Sequence, residues 1–139
     1  MTTARWLIDK SALWRAEHDG VRAVLGPRVN RGLVAVCMPT ELEIGYSARS
    51  GQDYALMRER LVDELTYVGM SDRAQRRARE VQAALVERGQ HRSAGVADLL
   101  IAATAEIERL TVLHYDADFD LIAEVTGQPT EWIVPKGSI

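Results

Sequence analysis

A single cysteine, three histidines and one phenylalanine in 139 residues set the first limits on this chain. A lone Cys37 allows no internal disulfide, so core packing must supply the stability. Cys37 lies in the apolar run Leu33-Val34-Ala35-Val36-Cys37-Met38 with no activating partner, which makes it a buried structural thiol rather than a nucleophile. His18, His91 and His114 are far apart in sequence, so no His/Cys cluster with zinc-ligand spacing exists. His114 reads as a packed strand histidine and the other two as solvent-facing. No stretch approaches the roughly 20 apolar residues that span a bilayer, and no basic-plus-apolar leader opens the chain; a cytoplasmic protein without membrane contact is expected. Neither a G-x-x-x-x-G-K-S/T loop nor a G-x-G-x-x-G run is present, which removes positive support for nucleoside triphosphate or dinucleotide binding. Strong positive charge is also missing. A formal net charge of −3 argues against a general nucleic-acid coat protein, although acids that hold a cation leave room for a nuclease.

What is present is enough apolar material, 47% of the residues, for one compact domain over residues 1–139. Residues 5–9 form a short apolar run ending in Asp9, a first strand. Residues 12–25 carry a helical pattern that Gly26-Pro27 is expected to stop. Residues 33–38 read as a second buried strand ended by Pro39. Thr40-Glu41-Leu42-Glu43 has the form of a capping box opening a helix over 41–50. Gly51-Gln52-Asp53 breaks that pattern and 54–65 resumes it. A short strand over 66–69 follows, and then a long helix from Ser71-Asp72 to Gly89. After a loop over 90–96, residues 98–110 are strongly apolar and helical, 111–115 a strand, 119–125 a helix and 131–134 a last strand. This alternation predicts a three-layer α/β/α domain with a central parallel sheet, in which ligands bind beyond the carboxyl ends of the strands.

Four acids stand out in that frame. Asp9 and Asp116 end strands, while Glu43 and Asp98 begin helices, and both kinds of terminus meet at one edge of an α/β sheet. Each also has a plain structural explanation. Asp9 and Asp98 can cap or favour their helices, Glu43 can complete the capping box, and the run Asp116-Ala117-Asp118-Phe119-Asp120 can be a charged helix start. Carboxylates that converge repel unless a cation joins them, and an oxygen-only set suits Mg²⁺, with Mn²⁺ as a substitute.

The order of these motifs resembles the PIN-domain ribonucleases of the VapC toxin family. Leu7-Ile8-Asp9-Lys10-Ser11-Ala12 is similar to the family's D-x-S opening, and Thr40-Glu41-Leu42-Glu43-Ile44-Gly45-Tyr46 to its second acidic motif. Gly95-Val96-Ala97-Asp98-Leu99-Leu100-Ile101-Ala102 matches the third, and His114-Tyr115-Asp116-Ala117-Asp118-Phe119 the fourth, with His114 where the family often has Thr. The resemblance implies an Mg²⁺-dependent endoribonuclease. Asp9, Asp98 and Asp116 would hold the ion, Glu43 would orient a water or help a second ion, and Ser11 and Asp118 would support the site. It also implies a homodimer, neutralisation by a VapB-type antitoxin and an RNA substrate. Arg88, His91 and Arg92, in or near the loop before Asp98, are candidates for gripping RNA phosphates. The competing expectation is an Mg²⁺- or phosphate-binding regulatory α/β domain without nuclease activity.

Overall fold

Strand β1 (Trp6–Ile8) runs parallel to β2 (Val34–Val36) on one side and to β4 (Thr111–His114) on the other, with Leu7 opposite both Ala35 and Val112. These pairings come from a computed structural model that describes residues 3–139. β3 (Thr66–Tyr67) and β5 (Thr130–Trp132) complete a five-stranded, all-parallel sheet in the order β3-β2-β1-β4-β5. The five strands expected from the apolar runs are present; β1 to β4 are trimmed by one or two residues at one or both ends, and β5 begins one residue earlier than expected and ends two earlier. Chain order reverses at β1 and β4, so the crevice between their carboxyl ends is the switch point at which such sheets place ligands.

Alternating strand residues feed two cores. Leu7, Ala35 and Val112 pack with α5 (Asp72–Glu87), α6 (Val96–Glu108) and α7 (Asp118–Thr126), through Val81, Leu85, Leu99, Ile101, Phe119 and Ile122. Ile8, Val34, Val36 and Leu113 face the other side, against Ala12 and Leu13 of α1 (Lys10–Leu13), Val21 and Leu25 of α2 (Asp19–Asn30) and Ile44 of α3 (Met38–Tyr46). The second layer continues through α4 (Gly51–Met57) into a π-helical turn over Arg58–Val62, whose Val62 is buried. Both sheet faces are therefore covered, as the near-continuous apolar strands require. No helix among the described residues is long and apolar enough to cross a membrane.

The local expectations need three corrections. Residues 12–25 do not form one helix: α1 ends at Leu13, and α2 starts at Asp19 with the His18 Nδ1 accepting the Gly20 amide proton at 3.2 Å. Gly26-Pro27 does not stop α2, which runs through Pro27 to Asn30. Proline costs its own amide bond and a clash with the carbonyl one turn back, and burial of Val21 and Leu25 on the sheet holds the helix past it. The stop is Gly32, whose φ of +71° turns the chain into β2. Thr40, finally, is not a helix cap. α3 already begins at Met38, with Pro39 in a first turn whose amides lack helical partners anyway. Thr40 is buried and its hydroxyl donates to the Ile8 carbonyl at 3.2 Å. Glu43 is consequently free of any capping task.

Boundaries shift elsewhere for simpler reasons. Ser50 Oγ accepts the Asp53 amide, so α4 starts within the Gly51-Gln52-Asp53 segment rather than after it. α6 starts two residues ahead of Asp98, which places that carboxylate in its first turn. Cys37 is fully buried, and burial pushes its thiol up to about 12, which leaves it inert.

Candidate metal centre

Asp9 stands one residue beyond β1, where the strand gives way to α1. Its Oδ1 accepts the Ala12 amide at 3.3 Å, capping α1, and the Ser11 hydroxyl at 2.7 Å. The capping explanation is thus realised: Asp9 is the N-cap of α1. At 3% exposure the carboxylate has lost nearly all its water, and burial raises its pKa to about 6. Hydrogen bonds from Ser11 and Ala12 counter that rise, and the negative charge of Asp116 adds to it.

Asp116 lies two residues past β4. Its amide donates to His114 Nδ1 at 3.1 Å, and its own Oδ1 accepts the Asp118 amide at 2.9 Å, a side-chain turn that leads the chain into α7. Asp98 enters from the third side, on the first turn of α6, with its Oδ2 accepting the Gly95 amide at 3.4 Å. Carboxylate oxygens of Asp98, Asp116 and Asp118 lie within 4.8 Å of one another. Desolvation, followed by the charges of Asp116 and Asp9, raises Asp98 to about 7. Burial and the charge of Asp116 also raise Asp118. Such mutual repulsion identifies a place short of positive charge.

The structure therefore gathers Asp98, Asp116 and Asp118, with Asp9 electrostatically coupled to them and tied to the β4 end through Ser11. The Ser11 hydroxyl that donates to Asp9 also accepts the Tyr115 amide at 2.7 Å. Glu43 stands apart. It forms an ion pair with Lys10 at 3.6 Å, both side chains being partly exposed. Lys10, immediately after Asp9, thus joins the surroundings of the site; its place at the first residue after a strand-ending acid is the signal for it in the sequence. Asp118 belongs with the acids rather than merely with the helix dipole, because the Asp116 turn carries it there.

Arg88, His91 and Arg92 are exposed in the segment that connects α5 to α6, and that segment ends at Gly95, the hydrogen-bond donor to Asp98. Arg88 is engaged by Glu124 of α7 at 3.1 Å. His114 is fully buried, as its strand position implies, and burial lowers its pKa against the opposing charges of Asp120, Asp116 and Glu131.

Carboxylate oxygens without nitrogen or sulfur partners form a donor set for a hard divalent cation such as Mg²⁺. Asp98, Asp116 and Asp118 could supply one oxygen each, and Asp9 is next in reach of the same charge deficit.

The chain resembles known proteins over nearly its whole length. The PIN domain family model matches residues 7–125, a span that includes all four acids of the sequence motifs. Ribonuclease VapC21 of Mycobacterium tuberculosis is 47% identical over 136 residues, covering 98% of this chain and 99% of that protein. VapBC-5 from the same organism, solved as a member of the VapBC family of toxin-antitoxin systems, is 25% identical with a TM-score of 0.66 over 92% of this chain and 96% of that one. The DNA-bound VapBC structure from Salmonella typhimurium shares the fold, with a TM-score of 0.78, 17% identity and coverage of 94% of this chain and 99% of that one.

Proposed function

This chain belongs to the PIN-domain family, and from that premise we propose that it is the toxin of a type II toxin–antitoxin pair: a divalent-metal-dependent endoribonuclease that hydrolyses phosphodiester bonds in RNA. The observation that carries the proposal is the convergence of Asp98, Asp116 and Asp118, with Asp9 beside them, at the switch point of the sheet. Near-full-length identity to a protein named as a ribonuclease supports the same activity. A VapB-type antitoxin neutralises it, by kinship with the VapBC assemblies, and it forms a homodimer, as the resemblance to the VapC family implies.

Asp98 and Asp116 would hold Mg²⁺, or Mn²⁺ as a substitute, with Asp118 within ligand distance of both and Asp9 completing the set. The ion, when bound, polarises a phosphoryl oxygen and lowers the pKa of a coordinated water. The protein's own residues orient and charge-balance. Ser11 restrains the rotamer of Asp9 through its 2.7 Å hydrogen bond. Glu43, outside the cluster and partly exposed, orients a water or accepts its proton, with Lys10 paired to it at 3.6 Å. Arg88, His91 and Arg92 grip RNA phosphates on the approach to Asp98, with Arg88 first exchanging Glu124 for the substrate.

The test is incubation of the purified protein with total RNA, with Mg²⁺ or with chelator, followed by mapping of new RNA ends. Discrete cuts that need Mg²⁺ and vanish in Asp9→Asn are expected, and coexpression with the antitoxin should suppress growth arrest. No cleavage with any divalent ion would instead favour a cation- or phosphate-binding regulatory domain.

A further inference from the structure

His114 ends β4 with its ring wholly inside the protein, between Phe119 at 5.1 Å and Trp132 at 5.0 Å between centroids. Packing alone explains the site of the ring but not its chemistry. The Nε2 of this buried imidazole has no hydrogen-bond partner among the described residues. Leaving that group unpaired costs stability, which an apolar side chain of similar size would avoid. The polar contact the imidazole does make is at Nδ1, which accepts the Asp116 amide proton at 3.1 Å. An accepting Nδ1 puts the proton on Nε2, against the two aromatic neighbours.

That bond belongs to a series. From the end of β4 into α7, Ser11 Oγ takes the Tyr115 amide, His114 Nδ1 the Asp116 amide and Asp116 Oδ1 the Asp118 amide. Side-chain acceptors thus fix the backbone where it would otherwise leave the sheet unsupported, and the two acids they fix are members of the carboxylate cluster. We infer that His114 is a positioning residue for the acidic site: by holding the Asp116 amide it sets the turn that aims the Asp116 and Asp118 carboxylates toward Asp98. The inference rests on the metal-site reading proposed above. His114 touches neither ion nor substrate in this role, and what it supplies is a single acceptor at the position of Nδ1.

The acceptor can be separated from the ring. Asn at this position offers Oδ1 close to where Nδ1 stands, while Leu fills similar space and accepts nothing. In the full-length protein, His114→Leu is expected to weaken Mn²⁺ binding, followed by electron paramagnetic resonance, about tenfold or more, the usual effect of losing a supporting bond behind a metal ligand. His114→Asn should bind close to the unaltered protein. Should the Leu variant fail to fold, the Asn variant decides alone. Retained binding supports the acceptor role, and loss of binding overturns it.

In the ion-free protein, long-range nitrogen–proton correlation spectra should show the proton on Nε2, and amide exchange at Asp116 and Asp118 should accelerate in His114→Leu. A proton on Nδ1, or a Leu variant with unchanged Mn²⁺ affinity and unchanged exchange, overturns the positioning role while leaving the metal reading intact. An unaltered protein that binds no Mn²⁺ overturns the metal reading, and this inference with it.

Discussion

The Ser11 hydroxyl donates to Asp9 Oδ1 at 2.7 Å, and it does so from a position where its oxygen also accepts the Tyr115 amide. One oxygen thereby joins the ends of β1 and β4, the two strands that flank the switch point, and sets the first acid against the segment that carries Asp116.

Ser11→Ala removes a hydrogen bond to a charged group and leaves the part-buried Tyr115 amide unpaired. Losses of this kind amount to about 1–3 kcal/mol. Urea unfolding should show that loss without a change in slope, since the surface exposed on unfolding is unaltered. A variant as stable as the parent would mean that water replaces the hydroxyl and that the two strand ends are not coupled through it.

Acidity should stabilise the ion-free protein. Asp9 and Asp98, at about 6 and about 7, keep protons in the folded state that the unfolded chain releases near 3.8. Folding therefore binds protons between these values, and stability falls as pH rises from 4 to 7, the penalty being absent below that window and complete above it. For the buried Asp9 alone the shift from 3.8 to about 6 corresponds to about 3 kcal/mol at about 1.4 kcal/mol per unit. A divalent cation, which needs the ionised acids, reverses the trend, so the rise in Tm on adding Mg²⁺ should be larger at pH 8 than at pH 5. Thermal unfolding in chelator and in Mg²⁺ at both values checks this. Ion-free stability that increases from pH 5 to 8 would contradict the raised acids.

Asp98→Asn should stabilise the ion-free protein at pH 8 and abolish its response to Mg²⁺. The carboxamide removes one of the charges that repel in the cluster, while its oxygen still accepts the Gly95 amide that Asp98 Oδ2 now caps. A gain of about 1 kcal/mol would raise Tm by a few degrees for a chain of this size. Calorimetry of parent and variant in chelator measures it. A lower Tm would show that the ionised cap, and not the repulsion, dominates at the start of α6.

Why the acids were legible and their neighbours less so follows from the range of the forces involved. Asp9 and Asp116 end runs whose β pattern is local, so the sheet edge they share could be read from residue order. Asp98 was legible because so apolar a helix as α6 has few places for a carboxylate outside its first turn. The helix boundaries around Pro27 and Pro39 were not, because both depend on burial against the sheet, which outweighs the breaking tendency of proline at one site and uses it as a helix start at the other. Thr40 illustrates the same limit: its cap-like spacing is real, yet the Ile8 carbonyl, 32 residues away, captures the hydroxyl. Membership of Asp118 in the cluster, and the pairing of Glu43 with Lys10, depend on side-chain turns and rotamers that periodicity does not encode.

Glu43→Gln and Asp116→Asn should fail in different ways. Glu43 meets Lys10 at 3.6 Å with both side chains partly exposed, a kind of pair worth about 1 kcal/mol or less. Its loss should leave folding and Mn²⁺ affinity almost unchanged, because its carboxylate is outside the Asp98, Asp116 and Asp118 group. If its task is to orient a water or take its proton, RNA cleavage should nevertheless drop about 100-fold or more. Asp116→Asn strikes the cluster itself, removes the charge that most raises Asp98 after desolvation, and should depress Mn²⁺ affinity and cleavage together. Parallel measurement of ion affinity and single-turnover cleavage separates the two roles. A Glu43 variant that loses Mn²⁺ as severely as the Asp116 variant would place Glu43 among the ligands, with Lys10 displaced from it when the ion binds.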